Sequence, residues 1–181
     1  DIVMVVLFLA EGFEEIEALA TLDILRRGDV TVKTVGVSGR QIVGAHGVTV
    51  TADMTAEEVG TGELEMVVLP GGPGTPNLEA STVVQQFVDY AVQNDLWLGA
   101  ICAAPSILGH KGLLKGKHAV CYPGYESELT GATVGHTSVC VDGRIITGNG
   151  PGAAFAFGLA LVEALRGKEQ AEQVKNGMQI R

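Results

Sequence analysis

The chain is organised around one stretch of sequence, Leu98-Gly99-Ala100-Ile101-Cys102-Ala103-Ala104-Pro105. Small and apolar residues lead to Cys102, and a helix-like run over residues 106–114 follows Pro105. The pattern predicts a buried strand, a sharp turn at Cys102 and the start of a helix. The free N–H groups of that helix would then point at the sulfur and favour the thiolate. A buried cysteine with a packing role fits the same stretch equally well.

Strands and helices alternate along the rest of the chain. Residues 2–9, 66–69 and 97–101 are apolar throughout, as is typical of strands that are covered on both faces. Hairpins are predicted within residues 38–51 and around Asp142-Gly143. Further strands are predicted at residues 30–37 and 119–121, and helices at residues 14–27, 83–93, 103–114, 153–165 and 168–175. This order predicts a single α/β domain over residues 1–181, with a mostly parallel sheet between layers of helices.

Composition and charge exclude several classes of protein. Of the 181 residues, 46% are hydrophobic and 18% are charged, which is typical of a folded and not a disordered chain. The net charge of -9 argues against binding to nucleic acid, because nucleic-acid-binding surfaces are basic. No apolar run reaches the ~18 residues of a membrane span, and residues 2–10 are interpreted as a strand, not as a signal peptide. We therefore expect neither a nucleic-acid partner nor a membrane partner.

The cysteines and histidines form no recognisable metal or disulfide motif. Cys102, Cys121 and Cys140 are odd in number and widely spaced, which favours a reducing, cytoplasmic location. Cys121 and Cys140 lie in strand-like runs and are interpreted as packing residues. A thiol nucleophile usually has a histidine base, but the sequence cannot establish whether any of the four histidines lies beside Cys102. The sequence therefore predicts no bound metal ion.

Three strand ends carry residues suited to chemistry. In parallel sheets, ligands bind beyond the carboxyl ends of the strands. Residues 11–17 follow the first predicted strand, Gly71-Gly72 follows another buried strand, and Cys102 follows the next one. Two successive glycines either form a tight turn or present backbone N–H groups to an oxyanion. The loop lacks both a G-x-G-x-x-G pattern and a lysine at P-loop spacing, which argues against nucleotide binding.

Glu17 differs from the other glutamates of residues 11–17. The helix dipole explains acidic residues such as Glu14 and Glu15 at a helix N-terminus. Glu17 lies near the helix face that must turn toward the sheet, where a carboxyl group is costly unless it is hydrogen-bonded or protonated. A protonated carboxyl group there could donate a hydrogen bond to a thiolate. A solvated helix glutamate is the alternative interpretation.

Five motifs together resemble the ThiJ/PfpI superfamily, in particular the branch of the parkinsonism-associated deglycase. They occur in the family's order over almost the whole chain. They are Glu14-Glu15-Ile16-Glu17, Val68-Leu69-Pro70-Gly71-Gly72, Ala100-Ile101-Cys102-Ala103-Ala104-Pro105, Gly150-Pro151-Gly152 and the run of residues 162–168. The resemblance implies a flavodoxin-like three-layer sandwich, similar to that of class I glutamine amidotransferases. It also implies that the protein needs no cofactor and forms a homodimer.

The same resemblance implies roles for individual residues. Cys102 would be the nucleophile on a strained elbow, and Glu17 would be the protonated partner that donates a hydrogen bond to the thiolate. Gly71, Gly72 and Ala103 would offer backbone N–H groups to an oxyanion. Ala103 stands where the protease-like branch has a histidine, which disfavours a peptidase.

The expected pocket departs from the deglycase branch at three positions. Tyr122 stands where relatives have a histidine before a proline, and His46 (across the dimer) and Asn149 stand where they have arginines. Fewer fixed positive charges imply a small neutral carbonyl substrate. The resulting hypothesis is a cofactor-independent glyoxalase III-like or deglycase-like enzyme, in which the Cys102 thiolate attacks a 2-oxoaldehyde such as methylglyoxal. The alternative is an oxidative-stress sensor or chaperone that uses an oxidisable Cys102 with a low pKa.

Overall fold

The computed structural model describes residues 3–181, so Ile2 of the predicted first strand and the first two residues of the predicted domain lie outside the described residues. The strands are β1 Met4–Leu9, β2 Val32–Gly36, β3 Gln41–Val43, β4 Thr49–Thr51, β5 Met54–Thr55, β6 Leu64–Leu69, β7 Trp97–Ile101, β8 His118–Ala119, β9 Thr133–Val134, β10 Val139–Asp142 and β11 Ile145–Gly148. The helices are α1 Glu15–Arg27, α2 Thr75–Glu79, α3 Thr82–Gln93, α4 Pro105–His110, α5 Ala154–Arg166 and α6 Lys168–Gly177. Within residues 3–181, none of the helices combines the length and the apolar character needed to cross a membrane.

Seven strands form one central sheet in the order β10-β11-β7-β6-β1-β2-β5. Neighbouring strands run parallel, apart from the antiparallel edge pair β10 and β11. The predicted α/β class with a mostly parallel sheet is therefore confirmed. The two predicted hairpins are also confirmed, because β3 pairs with β4, and β10 pairs with β11 through a turn in which Gly143 has a φ of 58°.

The two faces of the sheet bury separate apolar clusters. Along β1, the side chains of Val5, Leu7 and Leu9 belong to one cluster, whereas those of Val6 and Phe8 belong to the other. Successive side chains of a strand point to opposite faces, so an unbroken apolar run can fill both clusters. Helices α1, α5 and α6 contribute to the first cluster, and α3 and α4 contribute to the second. The result is the three-layer sandwich that the family resemblance implies.

The strand order brings the three candidate strand ends together. β6 lies between β7 and β1, and all three strands run in the same direction. Their carboxyl ends therefore meet at one edge of the sheet. Cys102 follows β7 there, Gly71-Gly72 follows β6, and the segment that leads into α1 follows β1. The predicted convergence of these segments is confirmed.

Helix α4 is shorter than the helix predicted over residues 103–114. It begins at Pro105 and ends at His110, and the turns after it pass through Gly112, whose φ is 75°. A Cβ atom on Gly109 would lie 2.2 Å from the Glu128 carbonyl oxygen, so α4 packs directly against that backbone. With only six residues, α4 supplies a smaller dipole at Cys102 than the predicted helix would.

Some short elements differ from the sequence-based expectation. The sequence does not predict β5, β9 or α2, of which the longest has five residues. Segments of that length show too little periodicity to be recognised. The strand predicted over residues 119–121 is present as β8, which starts one residue earlier and ends before Cys121.

Candidate active site

Cys102 lies on a strained turn at the end of β7. Its φ is 68°, in the left-handed region that residues other than glycine rarely adopt. Two backbone hydrogen bonds hold the turn: the Cys102 N–H donates to the Gly148 carbonyl at 2.8 Å, and its carbonyl accepts from the Tyr122 N–H at 2.9 Å. The predicted sharp turn at Cys102 is confirmed, and its strand–turn–helix geometry is that of a nucleophile elbow.

The loop after β6 contacts this turn directly because Gly71 has no side chain. A Cβ atom on Gly71 would lie 2.6 Å from the Ile101 carbonyl oxygen and 2.7 Å from Cys102 Cβ. Any larger residue would push the loop away from the turn. Gly71 is therefore needed for close approach, and not for a left-handed backbone, since its φ is not positive.

The backbone N–H groups of Gly72 and Ala103 lie near the Cys102 sulfur and favour its charged form. The N–H of Gly71 is not a third donor, because it donates to Glu17 Oε1 at 2.9 Å. The prediction that Gly71 donates to an oxyanion is therefore wrong, because the buried Glu17 carboxyl group takes its hydrogen bond, and the oxyanion role of Gly72 and Ala103 stays a prediction.

The segment before α1 sets the direction of the Gly72 donor. The Gly71 carbonyl accepts a hydrogen bond from the Glu14 N–H at 3.0 Å. In a trans peptide bond, the carbonyl of one residue and the N–H of the next point in opposite directions. The Gly72 N–H is therefore directed away from Glu14 and toward Cys102.

Glu17 is completely buried in the first turn of α1. Its Oε1 accepts the hydrogen bond from Gly71, whereas its Oε2 has no partner of full hydrogen-bond geometry within residues 3–181. The carboxyl group also interacts with the Cys102 thiol. Burial, with a smaller contribution from the charge of Glu14, raises the pKa of Glu17 to about 7, although hydrogen bonds from Cys102 and Gly71 oppose the shift. The prediction that Glu17 faces the sheet is confirmed, and the solvated alternative is wrong.

Cys102 and Glu17 are neighbouring ionisable groups, so the pKa of each depends on the charge of the other, and a low pKa for the thiol stays a prediction. Burial and the adjacent charge of Glu17 raise the pKa of Cys102 to about 12, and hydrogen bonds from Gly72 and Ala103 offset only part of the rise. Because the thiol and the carboxyl group are buried neighbours, they titrate as a pair. One proton leaves the pair near neutral pH, and the second leaves only at high pH, because two adjacent negative charges repel each other.

Tyr122 and Asn149 lie beside the turn at Cys102. Tyr122 donates its backbone N–H to Cys102, and its ring, which is half exposed, lies next to Gly150. Asn149 directly follows Gly148, the acceptor of the Cys102 N–H, and donates its own backbone N–H to Ser138 at 3.0 Å. The role of both side chains in binding a substrate stays a prediction.

His46 lies in the hairpin between β3 and β4, where Glu15 holds it. Glu15 Oε2 accepts hydrogen bonds from the backbone N–H groups of His46 at 2.7 Å and Val48 at 3.2 Å, and Oε1 lies 3.0 Å from His46 Nδ1. Although burial acts in the opposite direction, hydrogen bonds from the backbone and from His46 hold the pKa of Glu15 below its usual value. A Cβ atom on Gly44 would lie 2.5 Å from Glu15 Oε2, so a larger residue there would displace the Glu15 carboxylate. The role of His46 across a dimer stays a prediction.

Glu14 and Glu15 therefore do more than complement the helix dipole. Glu14 caps α1, because its Oε2 accepts from the Glu17 N–H at 2.8 Å. With His46, the two glutamates form a cluster of side chains that could hold a metal ion, within the described part of the chain. Sequence reasoning missed this cluster because Glu15 and His46 are 31 residues apart, and no short-range spacing joins them.

The other two cysteines lie outside the site. Cys121 is buried, as predicted for a packing residue, whereas Cys140 on the edge strand β10 is only partly buried. Burial, with the charge of Glu126, raises the pKa of Cys121 to about 11, and burial also raises the pKa of Cys140. All three cysteines are free thiols.

A model of the DJ-1/PfpI family matches residues 3–164. Protein dj-1beta of Drosophila melanogaster is 34% identical over 176 residues, which cover 95% of this chain and 94% of that protein. The Caenorhabditis elegans protein named glutathione-independent glyoxalase DJR-1.2 is 31% identical over 171 residues, which cover 93% of this chain and 91% of that protein. Protein DJ-1 homolog A of Arabidopsis thaliana is 36% identical over 178 residues, which cover 96% of this chain but only 45% of that protein.

Solved structures of similar proteins have the same fold. The crystal structure of Drosophila melanogaster DJ-1beta matches with a TM-score of 0.94 at 30% identity, over 100% of both chains. The structure of oxidized Toxoplasma gondii DJ-1 matches with a TM-score of 0.93 at 32% identity, over 98% of each chain. The fold expected from the motifs is thus confirmed by comparison as well as by topology.

Replacing Glu17 by glutamine should remove a pH-dependent cost of burying this carboxyl group. Its pKa is about 7 in the folded protein and 4.5 ordinarily, so the unfolded chain releases its proton first as the pH rises. Below the pKa that Glu17 has in the unfolded chain, its ionisation does not change the free energy of unfolding. Once the pH exceeds the pKa in the folded protein, its ionisation lowers the free energy of unfolding by about 3 kcal/mol. The free energy of unfolding of Glu17→Gln, relative to that of the wild type, should therefore increase by about 2 kcal/mol from pH 5 to pH 8, as measured by urea unfolding.

Glutamine is a suitable replacement because its carbonyl can still accept from Gly71 and its amide can donate toward Cys102. Glu172→Gln, on the exposed surface of α6, controls for the change in net charge. A stability difference between Glu17→Gln and the wild type that stays constant over this pH range would contradict the raised pKa.

Proposed function

Since the chain belongs to the DJ-1/PfpI family, we propose that it is a cysteine-dependent, cofactor-independent enzyme of the glyoxalase III or deglycase type. Its substrates would be small 2-oxoaldehydes such as methylglyoxal. The proposal is carried by one observation: a thiol on a strained turn shares a buried space with a carboxyl group and two backbone donors. The similarity to the Caenorhabditis elegans protein that is named a glutathione-independent glyoxalase supports the same class of enzyme.

In the proposed resting state, the pair of Cys102 and Glu17 carries one negative charge, on sulfur. Two backbone N–H groups favour charge on the sulfur, whereas one donates to the carboxyl group. The remaining proton is on Glu17 Oε2, the buried oxygen that otherwise lacks a partner, and this O–H donates to the sulfur. The thiolate then forms without a histidine base, in agreement with Ala103 at the next position.

The first step is addition of the thiolate to the aldehyde. The Cys102 sulfur forms a bond to the aldehyde carbon, and the carbonyl electron pair moves onto the oxygen. The N–H groups of Gly72 and Ala103 stabilise this oxyanion, and Glu17 donates its proton to it. The product is a neutral hemithioacetal, with Glu17 left as a carboxylate.

The second step is an internal redox change in which Glu17 acts as a base. It removes the hydrogen from the carbon bonded to sulfur, and the electron pair moves through an enediol to the neighbouring carbon. The ketone oxygen takes up a proton to form the enediol, and the hydroxyl on the sulfur-bearing carbon gives up its proton as that carbon becomes a carbonyl. Glu17 delivers a proton to the neighbouring carbon, which yields a thioester of lactic acid. Water hydrolyses the thioester and releases lactate and the thiolate. The net reaction adds one water to methylglyoxal and needs no external oxidant or reductant.

The surroundings of the turn favour a small neutral substrate. Neither Tyr122 nor Asn149 carries a fixed positive charge that would select an anion. We also propose a homodimer, because Ile16, Val43 and Val48 expose apolar side chains next to the site. These three residues lie on α1 and on the hairpin that Glu15 holds against it. A cytoplasmic location stays a prediction.

The direct test is lactate formation from methylglyoxal. Cys102→Ala should abolish it, because no other thiol lies on the turn, and Glu17→Gln should lower kcat about 100-fold to 10,000-fold through loss of the proton shuttle. Cys140→Ala is the matched control, since it removes a partly buried thiol outside the site and should keep full activity. Equal lactate production by the wild type and Cys102→Ala would contradict the proposal.

The proposed resting charge can be tested by the pH dependence of alkylation. In a Cys121→Ala/Cys140→Ala background, only Cys102 can react with iodoacetamide. If the pair loses its first proton from sulfur, the rate should rise with a midpoint near pH 7, the pKa of the Glu17 carboxyl group. If the charge instead stays on Glu17, reactivity should rise only toward the pKa of about 12 for Cys102. The second profile would mean that Cys102 is a buried thiol that stays protonated at neutral pH, and it would contradict the proposed resting charge.

A second candidate function, an oxidative-stress sensor, is favoured by the two donors that surround the sulfur. The N–H groups of Gly72 and Ala103 could hold the oxygens of a sulfinate as well as an oxyanion. One solved relative is described as oxidized. Mild peroxide treatment followed by peptide mass analysis should then add two oxygen atoms at Cys102 alone. Oxidation that starts at the more accessible Cys140 would argue against a sensor.

A further inference from the structure

A histidine at the end of α4 bridges two carboxylates from neighbouring segments. His110 Nδ1 lies 2.6 Å from Glu79 Oε2, at the end of α2. His110 Nε2 lies 3.3 Å from Glu128 Oε1, in the 3₁₀ turn Glu126–Glu128. A neutral imidazole has one N–H group, whereas the protonated ring has two. Only the protonated form of His110 can therefore donate hydrogen bonds to both carboxylates at once.

The backbone beside this bridge is closely packed. A Cβ atom on Gly109 would lie 2.2 Å from the Glu128 carbonyl oxygen and 2.9 Å from Leu129 Cα. The residue before His110 thus lets α4 lie directly against the 3₁₀ turn. The bridge therefore forms where the two segments already touch, and it extends this contact to α2.

Two of the three bridged segments begin at the candidate active site. The N–H and the hydroxyl of Thr75, the first residue of α2, both donate to the Gly72 carbonyl, at 3.1 and 2.8 Å. Helix α4 follows the turn at Cys102, and the N–H and the hydroxyl of Ser106 both donate to the Ala103 carbonyl, at 3.1 and 2.6 Å. The first turn of each helix is therefore tied to a residue whose N–H lies near the sulfur.

The 3₁₀ turn is tied to the site in the same way. The Glu128 N–H donates to the Tyr125 carbonyl at 2.9 Å, and the Tyr125 N–H donates to the Tyr122 carbonyl at 3.1 Å. Tyr122 in turn donates its N–H to the Cys102 carbonyl. Three segments thus leave the site separately and meet again at His110, so a contact there limits how far they can move apart.

The other charged side chains of the packed elements have partners of their own. Lys111 Nζ lies 2.8 Å from Asp89 Oδ1 on α3. Glu126 Oε2 accepts a hydrogen bond at 2.8 Å from the backbone N–H two residues before it. No lysine or arginine of residues 3–181 forms an ion pair with either bridged carboxylate. His110 is therefore the cation that faces the two carboxylates.

We propose that His110 is a pH-dependent clamp, which in its protonated form joins Glu79 to Glu128 and so fixes the loops around Cys102. It is a positioning residue, because both of its ring nitrogens face carboxylates and it acts through the three segments. Loss of its proton removes one of the two hydrogen bonds and leaves the carboxylates without a cation between them. The clamp sets the position of the thiol and does not depend on which reaction the thiol performs.

The clamp is closed in mildly acidic solution and opens as the pH rises. The hydrogen bond to Glu79, together with that to Glu128 and the charges of both, raises the pKa of His110 above its usual value of 6.5, although burial acts in the opposite direction. A pKa that is higher in the folded protein than in the unfolded chain means that the protonated form stabilises the fold. This stabilisation is complete below the unfolded pKa and is lost as the pH rises through the folded pKa.

The first test is titration of the imidazole by proton NMR. The His110 resonance is identified by its absence from the spectrum of His110→Gln, and its pKa should lie above 6.5 in the wild type. Glu79→Gln and Glu128→Gln should each lower this pKa, since each removes one negative partner. Glu172→Gln, on the exposed surface of α6, is the matched control for net charge and should leave the pKa unchanged. A pKa that neither bridging variant lowers would overturn the clamp.

The second test is whether the clamp acts on Cys102. In the Cys121→Ala/Cys140→Ala background, His110→Gln should lower the rate of alkylation by iodoacetamide at least about threefold at about pH 6. The loosened loop would move the Gly72 N–H away from the sulfur and disfavour the thiolate. The ratio of the two rates should approach one as the pH rises through the pKa of His110.

Two further variants keep this test decisive. His136→Gln removes an exposed histidine outside the clamp and should react as its background does at every pH. Glu128→Gln keeps the histidine and removes one arm of the clamp, so it should reproduce the pH-dependent loss even if His110→Gln disturbs α4. An alkylation rate at about pH 6 that neither His110→Gln nor Glu128→Gln lowers would overturn the clamp, as would a loss that is the same at every pH.

Discussion

The hydrogen bond from the Gly71 N–H to Glu17 Oε1 joins the parts on which the site depends. It ties the loop after β6 to α1, and the missing side chain of Gly71 lets the same loop touch the turn at Cys102. The Gly71 carbonyl is bound in turn by the Glu14 N–H, so the loop cannot rotate without losing a buried hydrogen bond. Three segments that are distant in sequence thus hold one another in place, and none of them could form the site alone.

The fold was predictable where its cause is local or follows from topology rules. The buried strands β1, β6 and β7 are apolar runs, because both faces of each strand are covered, and this leaves a clear pattern in the sequence. The end of α4 was not predictable in the same way. It depends on Gly109 packing against the Glu128 backbone, a contact that no periodicity records. The short strands β5 and β9 likewise exist only because a partner strand lies beside them.

For the site, the sequence indicated which residues meet but not how they share protons and hydrogen bonds. Cys102 and Glu17 follow from a strand–turn–helix pattern and from a carboxyl group on an inward helix face. The raised pKa of Cys102 depends on its burial and on its closeness to Glu17, and the loss of Gly71 as an oxyanion donor depends on which acceptor its N–H meets. Both are properties of distances between segments. The family resemblance supplied the residue set and could not supply these distances.

The contact of His46 with Glu15 has a consequence for how this corner of the protein can evolve. An arginine at that position would carry a positive charge that is covalently fixed and always present. An imidazole carries a positive charge only while it holds a proton. Because Glu15 binds the hairpin through backbone N–H groups, the exchange of one side chain leaves the hairpin in place. A change of one codon can therefore replace a permanent ionic contact with Glu15 by one that depends on the pH.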